Sequence, residues 1–504
     1  MEYEKVDKVL LPMDRVKTLN PLVSKDKDVY FMNRLLYRSL FVLDKNLMAQ
    51  EDLVESYSYD VENNTLKIKI KGGVKWSNGE ALTEKDVKFS IEAYKKAAFA
   101  NLSLYSNQVK NIGTVSVKED TLLIKYLNKS EIALEDLTFP IVSMNQFKDI
   151  ASSLKTSEKY IPVCSGPYYV DGFNPYSALI MKGNEHYAGI IPTNELIFKV
   201  IPAGSETINL IEPKLLTVAY SEKITRDVDF ANLEAKISSY VSNELEWIGF
   251  NMNMPIMANN KIRKAVAMTI DMKEILESAY FGNGVLADSV YYPGYWGTEK
   301  GESIYPFDRE GAEALLEKEG FKDLNKDGFL EDASGNKLTM RILVNGGDES
   351  RIAAAEILRS GLIKIKIDAN ISLLEGENYN AALASGNFDL YVGGAKMGEN
   401  YDLRPLLKSF NGNPVGYRNP MIDKYLDALR TGISETEKVE IFKKIKHILA
   451  DEIPYYPLVY KTYGVITSKD FNGEINPEFY DIYKGIETWS YNVEIQPEEE
   501  KTEN

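Results

Sequence analysis

The stretch DLNKDGFLEDAS, from Asp323 to Ser334, places Asp323, Asn325 and Asp327 at the first, third and fifth positions of a calcium loop, with Gly328 at the sixth. Side-chain oxygens at alternate positions of one tight turn are what a hard cation requires. The twelfth position, where a bidentate glutamate completes such a shell, is Ser334, although Glu331 or Asp332 could partly substitute. The stretch therefore reads first as a polar turn between a helix and a strand. Weak calcium binding by Asp323, Asn325 and Asp327 is the alternative, and no metal is assigned.

Groups for covalent or acid–base chemistry are scarce. His186 and His447 are the only histidines, which leaves little room for a Ser/His/Asp triad or a His-rich metal centre. His447 sits among Lys443, Lys444 and Lys446 on an amphipathic helix and reads as a surface residue, while His186 lies in a turn between two strands. The run GNGVLA, Gly282 to Ala287, has the outline of a dinucleotide fingerprint, but it follows a helix and leads into none. The helix N-terminus that would receive a pyrophosphate is missing, so these glycines read as a helix stop. No Walker-type phosphate loop occurs. An enzyme is not expected, and no cofactor is called for.

The elements around these residues form a mixed α/β pattern. Leu66, Ile68 and Ile70 alternate with Lys67, Lys69 and Lys71, the period-two signature of a strand with one dry and one wet face. The lysines are then a solvated face and not an anion-binding strip. Thr83 with Asp86 marks a capped helix start, followed by Val87, Ser90, Ile91 and Tyr94 at helical spacing. Asn260 precedes another helix; Asp271 with Glu274 opens one ending near Gly282; Asp308 caps one closed by Gly320; Leu338 to Val344 reads as a strand; and Ser434 opens a long helix stopped before Pro454.

At 504 residues the chain is too long for one hydrophobic core, so two or three domains are expected. Its 59 basic against 75 acidic residues give a net charge of -16, which disfavours nucleic acid and anionic membrane as partners. Cys164 is the only cysteine, so no internal disulfide forms. No apolar run is long enough to span a bilayer, the first residues are too charged for a signal peptide, which leaves either a cytosolic protein or one whose export segment has been removed, and the acidic end from Pro497 reads as a solvated tail.

Several stretches, in order along the chain, resemble the family 5 extracellular solute-binding proteins of ABC importers. These are LKIKIKGGVKWSNGEALTEKDVKFSI from Leu66, PVCSGPYYV from Pro162, GNEHYAG, EWIGFNMNMPIMANNKIRKAVAMTIDMKEIL from Glu246, NPMIDKYLDALR and IPYYPLVYKTYGVIT. The resemblance covers roughly residues 35–469. It implies a two-lobed periplasmic-binding-protein type II (cluster C) α/β fold with an extra inserted domain. The implied division is a core domain over 1–30, 160–256 and 464–504, an insertion over 31–159, and a second lobe over 257–463.

The same resemblance implies a monomeric extracytoplasmic receptor, its export signal absent here, either periplasmic or held at the surface as a lipoprotein. It would enclose an oligopeptide or other small-molecule ligand by hinge closure and pass it to ABC permease subunits. Ligand contacts carried over from family positions are Lys27, Tyr105, Asn251, Gly394, Lys396, Met397 and Glu399. Peptide receptors of the family commonly carry an aspartate that pairs with the ligand's free amine, and here that position is Met397, with Glu399 two residues on. Alternatives are a surface sensor on the same fold, or a binder of a metal chelate or sugar.

Overall fold

The computed structural model describes residues 3–128, 133–202, 205–222, 235–297, 305–410, 413–431 and 434–494; the acidic end from Pro497 lies outside them. The chain divides into two compact units. One comprises Met1–Asp44, Ala49–Tyr240 and Tyr463–Asn504, the other Lys45–Met48 and Val241–Thr462. The chain changes unit at Tyr240/Val241 and at Thr462/Tyr463, inside the strands Ala235–Phe250 and Tyr455–Ser468.

In the first unit the lysine-alternating strand, Thr65–Ile70, is an inner member of a four-stranded antiparallel sheet, between Val54–Asp60 and Thr121–Tyr126, with Ile112–Lys118 at the far edge. Leu66, Ile68 and Ile70 are buried, and Lys67, Lys69 and Lys71 are exposed. One apolar residue per two-residue repeat of the pleat thus meets the core, while the lysine ammoniums keep their hydration. The helix Glu84–Phe99 starts where expected: the Asp86 carboxylate accepts from the Thr83 backbone N–H at 2.9 Å and from its hydroxyl at 3.2 Å. Val87, Ile91 and Tyr94 from this helix join the core that the sheet's apolar face supplies.

A second four-stranded sheet of this unit sets Lys8–Met13 parallel to Glu195–Val200, which continues antiparallel to Ala178–Gly183 and Tyr168–Asn174. The N-terminal strand Tyr3–Val6 pairs antiparallel with Ser490–Glu494, so the two ends of the described chain close one small sheet. Cys164 is buried and its thiol pKa is pushed up to about 12 by desolvation, which makes it an inert packing residue.

In the second unit, Thr339–Asn345 pairs parallel with both Asp368–Leu374 and Leu390–Lys396, the last of which runs antiparallel to Glu244–Phe250. The helix Glu349–Lys364 makes the crossover that parallel pairing demands, and it packs Ala354, Ala355, Leu358 and Leu362 onto the core. Of the helices expected in this unit, those after Asp308 and Ser434 start where expected, the one opened by Asp271 ends at Ser278 and not near Gly282, and one cap is shifted. Asn259, not Asn260, is the N-cap, because its side-chain oxygen accepts from the Lys261 N–H at 2.8 Å. Gly282 takes a positive φ of 75° and donates to Leu276 O at 2.9 Å, and Gly284–Leu286 then pairs as a strand with Val459–Lys461. The glycines of GNGVLA therefore lie in the turn between the helix Met272–Ser278 and a strand, as no phosphate-binding loop does.

The Thr65–Ile70 strand yields a direct check. Ile68→Ala should cost about 2–5 kcal/mol of stability through the cavity it leaves, whereas Lys69→Gln should change stability by less than about 0.5 kcal/mol. Urea unfolding followed by circular dichroism measures both.

Candidate functional site

The segment Leu390–Glu399 carries four of the expected ligand contacts, and its local form follows from its composition. Leu390, Tyr391 and Val392 are a buried apolar run suited to an inner strand. Gly393 and Gly394 follow because neighbours occupy the space where side chains would stand. A Cβ on Gly393 would lie 2.5 Å from the Tyr391 ring, and one on Gly394 would lie 2.6 Å from both Glu246 Oε1 and Leu245 O. Gly394 is the ladder partner of Glu246, so the glycine makes room for that carboxylate.

Glu246 is 1% exposed, and its charge is met on several sides. Arg351 donates to it through Nε at 2.8 Å and Nη2 at 3.0 Å, Lys461 Nζ stands 3.2 Å from Oε1, and the Tyr280 hydroxyl donates at 3.4 Å. A planar guanidinium gripping two carboxylate oxygens is the geometry that offsets desolvation best. Burial works against the Arg351 charge, but the hydrogen bond and field of Glu246 outweigh it and raise the guanidinium pKa. The Lys461 ammonium likewise loses hydration, and Glu246 and Glu244 together raise its pKa.

The network continues outward along the strand pair. Glu244, opposite Lys396 in the ladder, accepts from Lys396 Nζ at 2.8 Å and lies 3.4 Å from Lys461 Nζ. Lys396 is half exposed. Met397 is 9% exposed; its backbone N–H donates to Asn243 O at 2.9 Å, and its carbonyl accepts from the Asn243 side-chain amide. Glu399 is half-buried. Gly394, Lys396, Met397 and Glu399 thus form one segment fastened to Asn243, Glu244 and Glu246.

The remaining expected contacts lie elsewhere. Asn251 is wholly buried in the second unit: its amide donates to Gly386 O at 2.9 Å and Phe388 O at 2.8 Å, and its oxygen accepts from the Asn253 N–H at 3.2 Å. It braces the turn between the helix Gly376–Ser385 and the Leu390 strand. Lys27, in the first unit, is half exposed, pairs with Glu222 and lies 5.7 Å from the Phe31 ring centre. Tyr105 is 5% exposed, stacks on Tyr30 at 5.8 Å, and its oxygen accepts from Asn33 Nδ2 at 3.2 Å. Desolvation pushes its hydroxyl pKa up to about 12.

Glu244, Glu246, Arg351 and Lys461 were missed by sequence reading. One signal was available: in NELEWIGF, Glu244 and Glu246 share a strand phase with Ile248 and Phe250, and a carboxylate in a core phase requires a cationic partner. The identity of that partner was not readable.

The Asp323 loop brings together carboxylate oxygens of Asp323, Asp327 and Glu331 within 4.8 Å of one another, without Ser334. Most of its polar atoms already serve the turn. Glu331 accepts from the Leu324 N–H at 2.7 Å and Asn325 Nδ2 at 2.9 Å, Asn325 Oδ1 accepts from the Asp327 N–H at 2.8 Å, and Asp323 Oδ2 accepts from the Gly328 N–H at 3.2 Å. Lys337 Nζ, 2.6 Å from Asp327, supplies a positive charge from within the chain. Its hydrogen bond holds the Asp327 carboxyl below the usual carboxylate range.

Two outcomes follow. Arg351→Met strands the Glu246 charge and should cost about 3–5 kcal/mol, and the double variant Glu246→Leu/Arg351→Met should recover part of that loss, both by urea denaturation. Because the folded-state pKa of Asp327 is depressed, its stabilising contribution is present above the ordinary Asp value of 3.8 and is lost as pH falls through the lower folded-state value. The melting-temperature gap between wild type and Asp327→Asn should therefore be widest near neutrality and close in acid.

The comparisons with known proteins agree with this architecture. The model for bacterial extracellular solute-binding proteins, family 5, middle region, matches residues 49–416. The oligopeptide-binding protein AppA of Bacillus subtilis is 24% identical over 489 residues, covering 93% of this chain and 89% of that protein. The nickel-binding periplasmic protein of Escherichia coli is 23% identical over 482 residues, covering 90% and 89%. A crystal structure of an ABC transporter substrate-binding protein from Sinorhizobium meliloti superposes with a TM-score of 0.79 at 19% identity, covering 94% of this chain and 98% of that one. The expected type II periplasmic-binding α/β fold is the one the chain adopts. With a family match across most of its length, the chain belongs to the family 5 extracellular solute-binding proteins, the substrate-binding components of ABC importers.

Proposed function

We propose that the chain captures an oligopeptide or peptide-like solute outside the cytoplasm and delivers it to ABC permease subunits. The observation that carries this reading is the near full-length relation to a protein named for oligopeptide binding. In this reading the binding surface includes Lys27, Tyr105, Gly394, Lys396, Met397 and Glu399, with Asn251 bracing the segment from behind. The division into a core domain, an insertion over 31–159 and a lobe over 257–463 belongs to the same proposal, as do a monomeric state and a periplasmic or lipid-anchored location. A metal-chelate solute is the second reading, favoured by the relation to a nickel-binding protein.

The chemistry of the segment refines the peptide reading. A buried thioether at Met397 offers an ammonium no charge, and the nearest carboxylate on the paired strand, Glu244, is already engaged by Lys396. The ligand's terminal amine is therefore not anchored at this position. Peptides from a defined library should be retained by the purified chain and identified by native mass spectrometry. Acetylating their N-termini should weaken binding by less than about threefold, far short of the loss expected when a buried ion pair is broken. Retention of nickel–histidine with no peptide bound would transfer the assignment to the second reading.

A further inference from the structure

The strands Ala235–Phe250 and Tyr455–Ser468 carry the chain into and out of the second unit, and Val241 is the first residue of that unit on the former. Where a chain links two compact units, hinge motion is absorbed at a few positions on the connecting elements. The proposed solute contacts Lys396, Met397 and Glu399 lie at the end of a different strand, Leu390–Lys396, and just beyond it. Three tyrosines of the second unit join these places.

Tyr401, two residues past Glu399, is 2% exposed and takes a φ of 46°, in the left-handed region that aromatic residues seldom occupy. Such a backbone persists only where its surroundings fix it. Here the Tyr401 N–H donates to Gly398 O at 2.9 Å, and its ring lies 5.1 Å from that of Tyr295 and 6.1 Å from that of Tyr292. Its hydroxyl is hydrogen-bonded to that of Tyr460, a fully buried residue of the strand Tyr455–Ser468. Tyr460 gives its own hydrogen to Val290 O at 2.9 Å, so Tyr401 is the donor between the two hydroxyls. Desolvation holds both protonated, well above the ordinary tyrosine range.

Tyr292 completes the connection. Its half-buried ring stands edge-on to Tyr460 at 5.7 Å as well as to Tyr401, and its hydroxyl donates to Val241 O at 2.9 Å. Val290, which receives the Tyr460 hydrogen, lies two positions before Tyr292. One side chain therefore grips the first residue of the unit on its entering strand and also touches the tyrosine that closes the solute-contact segment. Contiguous packed rings and hydrogen bonds of this kind are the physical means by which one place in a fold biases another.

We propose that Tyr292 is a positioning residue for solute capture: with Tyr401 and Tyr460 it couples the Met397–Glu399 segment to Val241, so that order imposed on the segment is passed to the strand on which the chain enters the unit. Its part in capture rests on the function proposed above, whereas the coupling itself is a property of the free chain.

Hydrogen exchange of the full chain, read by mass spectrometry on fragments covering residues 240–243, 342–344 and 397–399, tests it. In the free protein Tyr401→Leu, which removes both ring and hydroxyl, should speed exchange over 240–243 by about fivefold, the scale of one neutral hydrogen bond, and leave 342–344 unchanged. Tyr401→Phe, which keeps the ring on Tyr292, should restore most of the protection. In a Tyr292→Phe background, Tyr401→Leu should add nothing, because the link to Val241 is already cut. On the unaltered protein, peptide from the library or nickel–histidine should protect 240–243 together with 397–399, and Tyr292→Phe should abolish the first protection alone. Unchanged exchange over 240–243 in Tyr401→Leu of native circular dichroism, equal effects in the two backgrounds, or a retained solute that protects 397–399 without 240–243 would each overturn the coupling. Retention of neither probe would instead remove the function reading, and the free-chain comparison would still decide whether Tyr292 couples the two places; if Tyr401→Leu fails to fold, Tyr292→Phe alone should speed exchange over 240–243, and unchanged exchange there overturns the coupling.

Discussion

A carboxylate in the middle of a sheet sets the terms for the second unit. Glu246 lies on an inner strand where water is excluded, so its charge must be answered by protein groups with good geometry. Arg351 answers from the crossover helix, Lys461 from a neighbouring strand and Tyr280 from the chain after the helix Met272–Ser278. Three elements distant in sequence are therefore tied to one atom group. The same requirement explains a glycine at position 394, since any side chain there would enter the space the carboxylate occupies. The segment bearing Lys396, Met397 and Glu399 leaves this anchor directly, and Asn243 fastens its next turn. A segment carried on a rigid strand pair holds its geometry better than one on a free loop.

The first unit relies on a different balance. Its sheets and helices bury long apolar rows, and its ionic contacts lie mostly where water can reach them, as Lys67–Asp60 and Lys182–Asp171 do. Such exposed pairs add little to stability, so burial carries the fold. Around Asn33, Arg34 and Asp481, polar groups instead line a cavity. The two units thus place polar groups differently: in the second a buried carboxylate is met by cations at a strand pair, and in the first polar groups line a cavity.

Much of the fold was legible because its signals are local. The alternation from Leu66 to Lys71, the Thr83–Asp86 cap, the Asp308 cap and the long helix after Ser434 depend on neighbours within a few residues, and each stands where the periodicity put it. Asn260 was one position off because two asparagines in succession offer the same cap, and backbone conformation selects the first. The candidate site was legible only in part. Its segment could be located, but Asn251 gives no local sign that both amide hydrogens are engaged by carbonyls more than a hundred residues away.

By itself the sequence determined the α/β pattern, the scarcity of catalytic groups and the family resemblance, since composition and short-range periodicity are enough for these. Only the tertiary structure decided that Glu246 pairs with Arg351 across 105 positions, that Gly394 is a spacer for that pair, and that Asn33 and Asp481 line one cavity. The physical reason is that the cost of burying a charge or a lone pair is set by what the fold brings beside it, and no local pattern in a chain encodes a distant partner's position.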